Sequence, residues 1–593
     1  MATAERAILG DLPTWDLGDL YDGPASAALA ADLRRAKADA EAFQARYAGH
    51  LAELDGAAFG EAIAQYERIS EVLGKIGSYS YLVFCRQMDD PEIGRFHQTT
   101  SEQANDITTH LLFFSLEVNK LDDADIERKL AHPAAARYRP WVRDVRTFRP
   151  YQLSEELERM LHEKAVAGRD AWIRLFDETI AALRFDVGGQ SLTEAEALDL
   201  LQSADGAVRK EAAKELGRVF GANIRTFAHV MNTLVKDKEI EDRWRGFKRP
   251  ISARNVANQV EDAVVDALLA AVKASYGRLS HRYYALKARW MGVERLDYWD
   301  RNAPLPENED RTIPWNEAVT TVLDAYAAFT PELARVAEPF FARPWIDAPV
   351  KAGKAGGAFA HPTVPSAHPY LLLNYQGRAR DVMTLAHELG HGVHQVLAAG
   401  QGALMADTPL TLAETASVFG EQLTFRRLLA REKDRARRRL LLAEKVEDML
   451  NTVVRQIAFC DFETRLHDER RGGEVTAERI GEIWLAVQQE SLGPALRFED
   501  EYRAYWSYIP HFVHTPFYVY AYAFGDCLVN ALYARYEASP EGFQDRYFAM
   551  LRAGGTKRHH ELLAPFGLDA TDPGFWSLGL GVIERMIDEL AAT

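Results

Sequence analysis

The spacing of apolar residues constrains this chain more than any other feature. From Leu29 onward, apolar or small residues fall at Leu33, Ala36, Ala40, Phe43, Tyr47 and Leu51. Steps of three and four return a side chain to one side of an α-helix, so this stretch reads as a helix that buries a stripe. Comparable patterns cover residues 59–85, 101–121, 153–184, 206–240 and 261–290. Ser154 and Thr193 mark helix starts, and Thr193-Glu-Ala-Glu196 has the form of a capping box. No internal repeat of fixed period is evident.

The helical pattern breaks near residue 293. Pro304, Pro306 and Pro314 accumulate, and a second irregular stretch ends in Lys351-Ala-Gly-Lys-Ala-Gly-Gly357. Ala358–Val364 and Tyr370–Tyr375 are the best strand candidates in the chain. Helices resume after residue 380, including a long one through Leu440–Leu466. The basic run Arg431–Arg439 contains Glu432 and Asp434 and reads as a solvated helix turn. The fold class expected is mostly α with one small β-sheet. At 593 residues two or more domains are expected, with a boundary near residue 200 dividing a helical domain (1–200) from a second (201–593).

Composition excludes several function classes. Seventy Lys and Arg against 87 Asp and Glu give a formal charge of −17, with no stripe of positive charge for nucleic acid. Cys85, Cys460 and Cys527 are an odd number and far apart, which argues against a disulfide framework and for a reducing compartment. The opening residues carry no secretory signal, and nothing approaches 18 consecutive apolar residues. The expectation is a cytoplasmic protein with no nucleic-acid or membrane partner. No coiled-coil seam points to an oligomeric state.

Chemistry concentrates in Asp381-Val-Met-Thr-Leu-Ala-His387-Glu388-Leu-Gly-His391-Gly-Val-His394. On a helix, His387 and His391 are one turn apart and share a face, so two imidazoles can converge on one metal. Glu388, beside the first histidine, can reach a water at that metal without binding the metal itself. Gly390 and Gly392 permit close approach of another backbone or a substrate. A catalytic zinc needs a third protein ligand and an open fourth position. Pro409 and Thr411 fit the start of a downstream helix, in which Glu414 lies among Ala413, Thr415, Ala416 and Ser417. A carboxylate among small residues suits a ligand, and Glu421, two turns further along, suits the outer nitrogen of a ligand histidine. The competing reading makes both glutamates surface residues.

His-Glu-Leu-Gly-His followed after 22 residues by Ala-Glu-Thr-Ala-Ser resembles the M3 family of zinc metallopeptidases, and within it the oligoendopeptidase F branch. Trp15-Asp-Leu-Gly-Asp-Leu-Tyr21 is similar to the start of that branch. Gly356-Gly-Ala-Phe359 with Pro369–Tyr375 resembles the segment before its metal helix, and Tyr508-Ile-Pro-His511-Phe its substrate-binding region. The thermolysin pattern differs: it places an aspartate four residues after the third ligand, where this chain has Val418, whereas Glu421 at seven fits M3. The resemblance implies a two-lobed, mostly helical metallopeptidase of gluzincin type, with a small sheet near the zinc helix and a deep channel that admits short, unfolded peptides. It implies one Zn2+ held by His387, His391 and Glu414, with Glu388 as general base and residues 201–593 as the catalytic domain.

An oxyanion donor is then expected from His511, Tyr518, Tyr520 or Tyr522, although Tyr-Val-Tyr-Ala-Tyr is equally an aromatic core strip. An edge strand at Gly357, Ala358 and Phe359 can hydrogen-bond an extended substrate; a plain glycine loop is the alternative. His394 reads as a packing or supporting residue, His361 and His368 as loop histidines, and His559-His560 as surface. The expected activity is an endopeptidase on oligopeptides. The alternative enzyme is a carboxypeptidase or other exopeptidase. A non-catalytic peptide binder would have no need of Glu388.

Overall fold

The computed structural model describes residues 9–305 and 312–593, so the opening residues 1–8 and Pro306 lie outside the described residues. The chain divides into two compact units, each assembled from three stretches. The first comprises Met1–Arg149, Asp310–Arg431 and Tyr536–Gly567; the second comprises Pro150–Glu309, Glu432–Arg535 and Leu568–Thr593. This interleaving does not coincide with a single cut near residue 200.

In the first unit the amphipathic stretch at Leu29 becomes the helix Ala27–Tyr47, which packs with Gly56–Arg86 and Pro91–Thr109. Ala36, Ala40, Phe43 and Tyr47 are buried, and Phe43 meets Phe114 edge-on with ring centres 5.1 Å apart. Further along, helix α1 (Trp315–Phe329) precedes a three-stranded sheet of β1 (Ile346–Asp347), β2 (Phe359–His361) and β3 (Tyr370–Leu372). The order is β1-β3-β2; β3 runs parallel to β1 and antiparallel to β2, with Ala360 opposite Leu371. Both strand expectations are met over a shorter span, and β2 is an edge. Helices α2 (Ala379–Ala398) and α3 (Leu410–Arg431) follow and pack on each other.

The second unit is built around the helix Gly206–Arg245. Thr193 caps its short helix through a full capping box with Glu196. The helix expected through Leu440–Leu466 is two helices, α4 (Arg435–Thr452) and α5 (Val454–Arg470), separated at Val453. The apolar stripe runs across the break and hides it; Asn451, Thr452 and the β-branched Val453 and Val454 weaken the helix there. A hairpin of Phe185–Val187 and Gln190–Leu192 was not anticipated. Its signal is Gly188-Gly189, both at positive φ, between apolar residues. His559, expected at the surface, is buried, whereas His560 is exposed. His361 lies in β2 rather than a loop. No described helix is long and apolar enough to cross a membrane.

Candidate active site

Helix α2 buries Val382, Leu385, Ala386, Leu389 and Val393. That stripe fixes its rotation and turns His387 and His391 together toward α3. Gly390, between the two histidines, makes the approach possible. A Cβ there would lie 2.5 Å from the Ala416 carbonyl oxygen, so only a bare backbone lets α3 come this close. At Gly392 the neighbour is the Phe340 ring, 2.7 Å from the position of a Cβ. Tyr326 of α1 locks the pair from below: its hydroxyl donates to the Ala386 carbonyl at 2.7 Å and sits where a side chain at Gly420 would be.

The result is a three-donor cluster. His387 Nε2 lies 3.3 Å and His391 Nε2 3.5 Å from the same oxygen, Glu414 Oε2. Donors on a tetrahedral zinc, at bonds of about 2.0–2.1 Å, stand about 3.3–3.4 Å apart, so the donor set and its spacing fit that ion. All three side chains keep partial exposure, between 20% and 27%, so one side of the cluster stays open. His387 Nδ1 faces Glu421 Oε2 at 3.2 Å. The Ala413 carbonyl faces His391 and favours a proton on that ring. Each histidine thus has an outer partner of the kind that orients metal ligands. Ser417 donates to Glu414 Oε2 at 2.6 Å.

Electrostatics in the cluster follow from burial against charge. Burial pulls His387 down, but Glu414 and Glu421 outweigh it and hold the imidazole well above its ordinary value. Burial raises Glu414, yet the His387 hydrogen bond and the charges of both histidines bring it to about 2. Burial brings His391 to about 4. Two carboxylates facing two imidazoles call for positive charge, supplied by a proton on His387 or by a divalent cation among the donors. Glu388 is beside the three donors but not one of them; it is buried, and that burial pushes its carboxyl up to about 7. A cation nearby would lower it again.

The edge strand reaches this cluster. Leu371 and Leu373 donate to Trp345 and Asp347, so the backbone groups of Ala360 opposite Leu371 point outward from the sheet. They are engaged: the Ala360 amide faces Glu388, and its carbonyl accepts from Gln395 at 3.4 Å. By the same alternation the outward groups before the strand are those of Ala358. Gly357 takes a φ of +73°, and Asn374 donates to the Ala355 and Gly357 carbonyls, which fixes the turn. His394 is buried and is not one of the three donors. His361 bonds Ser78, and His368 stacks on Trp345 and bonds Asp19.

In the second unit, His511, Tyr518 and Tyr522 come together. His511 Nε2 lies 3.3 Å from the Tyr522 hydroxyl, and the Tyr518 and Tyr522 rings are 5.3 Å apart. Tyr520 does not join them; it is fully buried and its hydroxyl accepts from Asn258 at 2.9 Å. A donor role for Tyr520 is therefore withdrawn. Sequence reasoning also missed Ser417, noted only as small although it lies three residues from Glu414 on one helix face. Tyr326, sixty residues from Ala386, gave no local signal.

The family model for Oligopeptidase F matches residues 117–185. Over 594 aligned residues the chain is 25% identical to Oligopeptidase PepF of Bacillus subtilis, covering 97% of this chain and 86% of that one. It is 28% identical over 401 residues to an oligoendopeptidase F homolog of Lactococcus lactis, covering 67% and 66%. Among solved structures, a protein from Chlamydophila abortus superposes with a TM-score of 0.85 at 22% identity over 98% of each chain. Oligoendopeptidase-F from Enterococcus faecium superposes at 0.70 and 23% identity, over 95% of this chain and 97% of that one. These likenesses carry the mostly helical fold. The model for Peptidase family M3 matches residues 199–582, a span that holds both helices of the three-donor cluster and more than half of the sequence, and on that extent the chain belongs to peptidase family M3.

Proposed function

We propose that this M3 peptidase is a zinc endopeptidase that hydrolyses internal bonds of short, unfolded oligopeptides, with one zinc per chain. The observation that carries the reading is the convergence of His387 Nε2, His391 Nε2 and Glu414 Oε2 at tetrahedral spacing, with buried Glu388 beside them. The names of the relatives, oligopeptidase and oligoendopeptidase, support the substrate class. Three free, buried cysteines fit work in the cytoplasm.

When bound, zinc supplies Lewis acidity, polarising the scissile carbonyl and making water acidic near neutral pH. Glu388 accepts the proton of the attacking water on its carboxylate and delivers it to the leaving amine. Glu421 accepts from His387 Nδ1–H, which leaves Nε2 as the lone-pair donor toward the metal. Ser417 holds Glu414 Oε2 in place. Ala358 offers its outward backbone groups to an extended peptide, whereas Phe359 turns its own toward Leu372 and the Gly357 carbonyl accepts from Asn374. His511, Tyr518 and Tyr522 gather within the second unit as candidate hydrogen-bond donors to a peptide.

The test is Glu388→Ala. Removing the base while leaving all three donors should cut turnover by about 100- to 10,000-fold, with the zinc content of the purified chain unchanged. Near-normal turnover in this variant would refute the role.

A further inference from the structure

The helix Gly56–Arg86 lies along the edge strand β2, and both belong to the first unit. Its contacts fall in order. A Cβ at Gly74 would stand 2.9 Å from a Val364 methyl. Ser78 Oγ lies 2.9 Å from His361 Nε2, and the Cys85 carbonyl accepts from the Ala355 amide at 2.8 Å. The helix therefore runs antiparallel to the strand and covers one of its faces.

Strand alternation decides which side chains meet the helix. Phe359 and His361 share one face of β2, and Ala358 and Ala360 take the other. Tyr81 sits over the first pair, its ring centre 5.8 Å from that of Phe359 and 5.3 Å from that of His361. Those separations are ordinary for packed aromatic rings, yet the cluster is not sealed. Tyr81 keeps 38% of its surface exposed, and Phe359 and His361 are half-buried. Burial holds the Tyr81 phenol protonated, pushed up to about 12, and the His361 imidazole neutral, brought down to about 4. Three rings thus make an uncharged wall at neutral pH. The space before the strand is open: a Cβ at Gly356 or Gly357 would meet, apart from its chain neighbours, no described atom within 4 Å.

The wall adjoins the reacting groups. Ala360, between Phe359 and His361, turns its amide toward Glu388, and Ala358 presents its backbone groups outward from the sheet edge. A peptide strand laid on Ala358 sets its next residue opposite Phe359. Opposed residues on neighbouring strands carry their side chains on the same face, about 4.5–5.5 Å apart at Cβ. That side chain enters the space over Phe359 and beside Tyr81, where an aromatic ring gains most. We propose that Tyr81, Phe359 and His361 form a specificity subsite that takes an aromatic side chain of the peptide substrate, from the residue opposite Phe359. The choice of ligand rests on the endopeptidase reading above and names the side chain that reading leaves open. The subsite, Glu388 and the three metal donors all lie in the first unit, so the preferred residue keeps one place relative to the cut.

Two measurements on the full-length, zinc-containing protein separate the subsite from the function. The first maps cuts in a mixture of end-blocked peptides, in which the wild type should enrich Phe and Tyr at one position near the cut. Two blocked peptides that differ only there, Phe against Ala, should then differ in kcat/KM by about tenfold or more. Tyr81→Ala should lower that ratio by about 2- to 10-fold; Tyr81→Phe, which keeps the ring and loses the hydroxyl, should retain it. No aromatic preference in the wild type, or a ratio unchanged in Tyr81→Ala because both peptides slow equally, overturns the subsite. The second measurement needs no turnover. A blocked peptide carrying one p-benzoylphenylalanine is photolysed with the Glu388→Ala protein, and the product is digested with trypsin. The cross-link should fall on the fragment Ile76–Arg86, which holds Tyr81, and should be competed by a blocked Phe peptide better than by its Ala counterpart. Cross-links confined to other fragments, or equal competition by the two peptides, overturn the assignment. If the wild type cuts no peptide, the endopeptidase reading fails, and the cross-link still decides the subsite.

Discussion

Phe517 has a φ of +61°, in the left-handed region where a bulky side chain crowds its own backbone. The strain persists because the surroundings hold it: the Phe517 amide donates to Glu463 Oε1 at 2.8 Å, one residue before Tyr518. Glu463 Oε2 is buried and makes no hydrogen bond, so it is the atom that keeps a proton. Burial pushes this carboxyl from 4.5 to about 8, against the opposing amide and the charges of Arg254 and Lys238. A folded value above the unfolded one means that the folded chain binds more protons between them. Stability from this group is therefore full below about pH 4.5 and is lost as pH rises toward about 8, on the order of 1 kcal/mol per pH unit. Urea midpoints between pH 5.5 and 8 should fall in the wild type, and Glu463→Gln should flatten that fall; an unchanged slope in the variant contradicts the assignment. His387, Glu388 and His391 were legible because their chemistry and helical spacing coincide within five residues. The tyrosines were not: read as an alternation they share a side, but the turn that leads from Tyr518 into the helix Tyr520–Ala538 puts Tyr518 and Tyr522 together and sends Tyr520 the other way.

The metal cluster depends on how closely α2 and α3 approach, and that is set at Gly390. Gly390→Ala keeps every donor and improves helix propensity, yet its methyl would meet the Ala416 carbonyl at 2.5 Å. Backbone cannot rotate away as a side chain can, so the helices must separate and carry Glu414 from His387 and His391. Zinc affinity, measured by chelator competition, should fall by about 10- to 100-fold, the range seen when ligand positioning is lost. Affinity equal to wild type would show that α3 does not need this approach. The sequence pattern made the two helices, and the start of α3 near Pro409, legible, and the glycines announced a close neighbour. It did not say that the neighbour is α3 at Gly390 and a phenylalanine ring at Gly392. Strand β1 escaped because two residues are too few for an alternation to register, and the Phe185–Leu192 hairpin is marked only by its Gly188-Gly189 turn.

At the scale of the whole molecule, each unit gathers three distant stretches. A boundary near residue 200 could be read from helical patterns, but compactness depends on which segments meet, and no local pattern encodes that. The resemblance to the family, by contrast, rests on motifs spread from Trp15 to His511 that the sequence carries directly. The central claim is a metal-dependent cut inside short peptides. It is tested most directly by mass spectrometry of a mixture of peptides blocked at both ends, incubated with the protein alone, with a chelator, and with chelator followed by zinc. The account predicts internal cleavages that disappear with chelator and return with zinc. Cleavage that persists in chelator, or that occurs only at free ends when unblocked peptides are supplied, would contradict it.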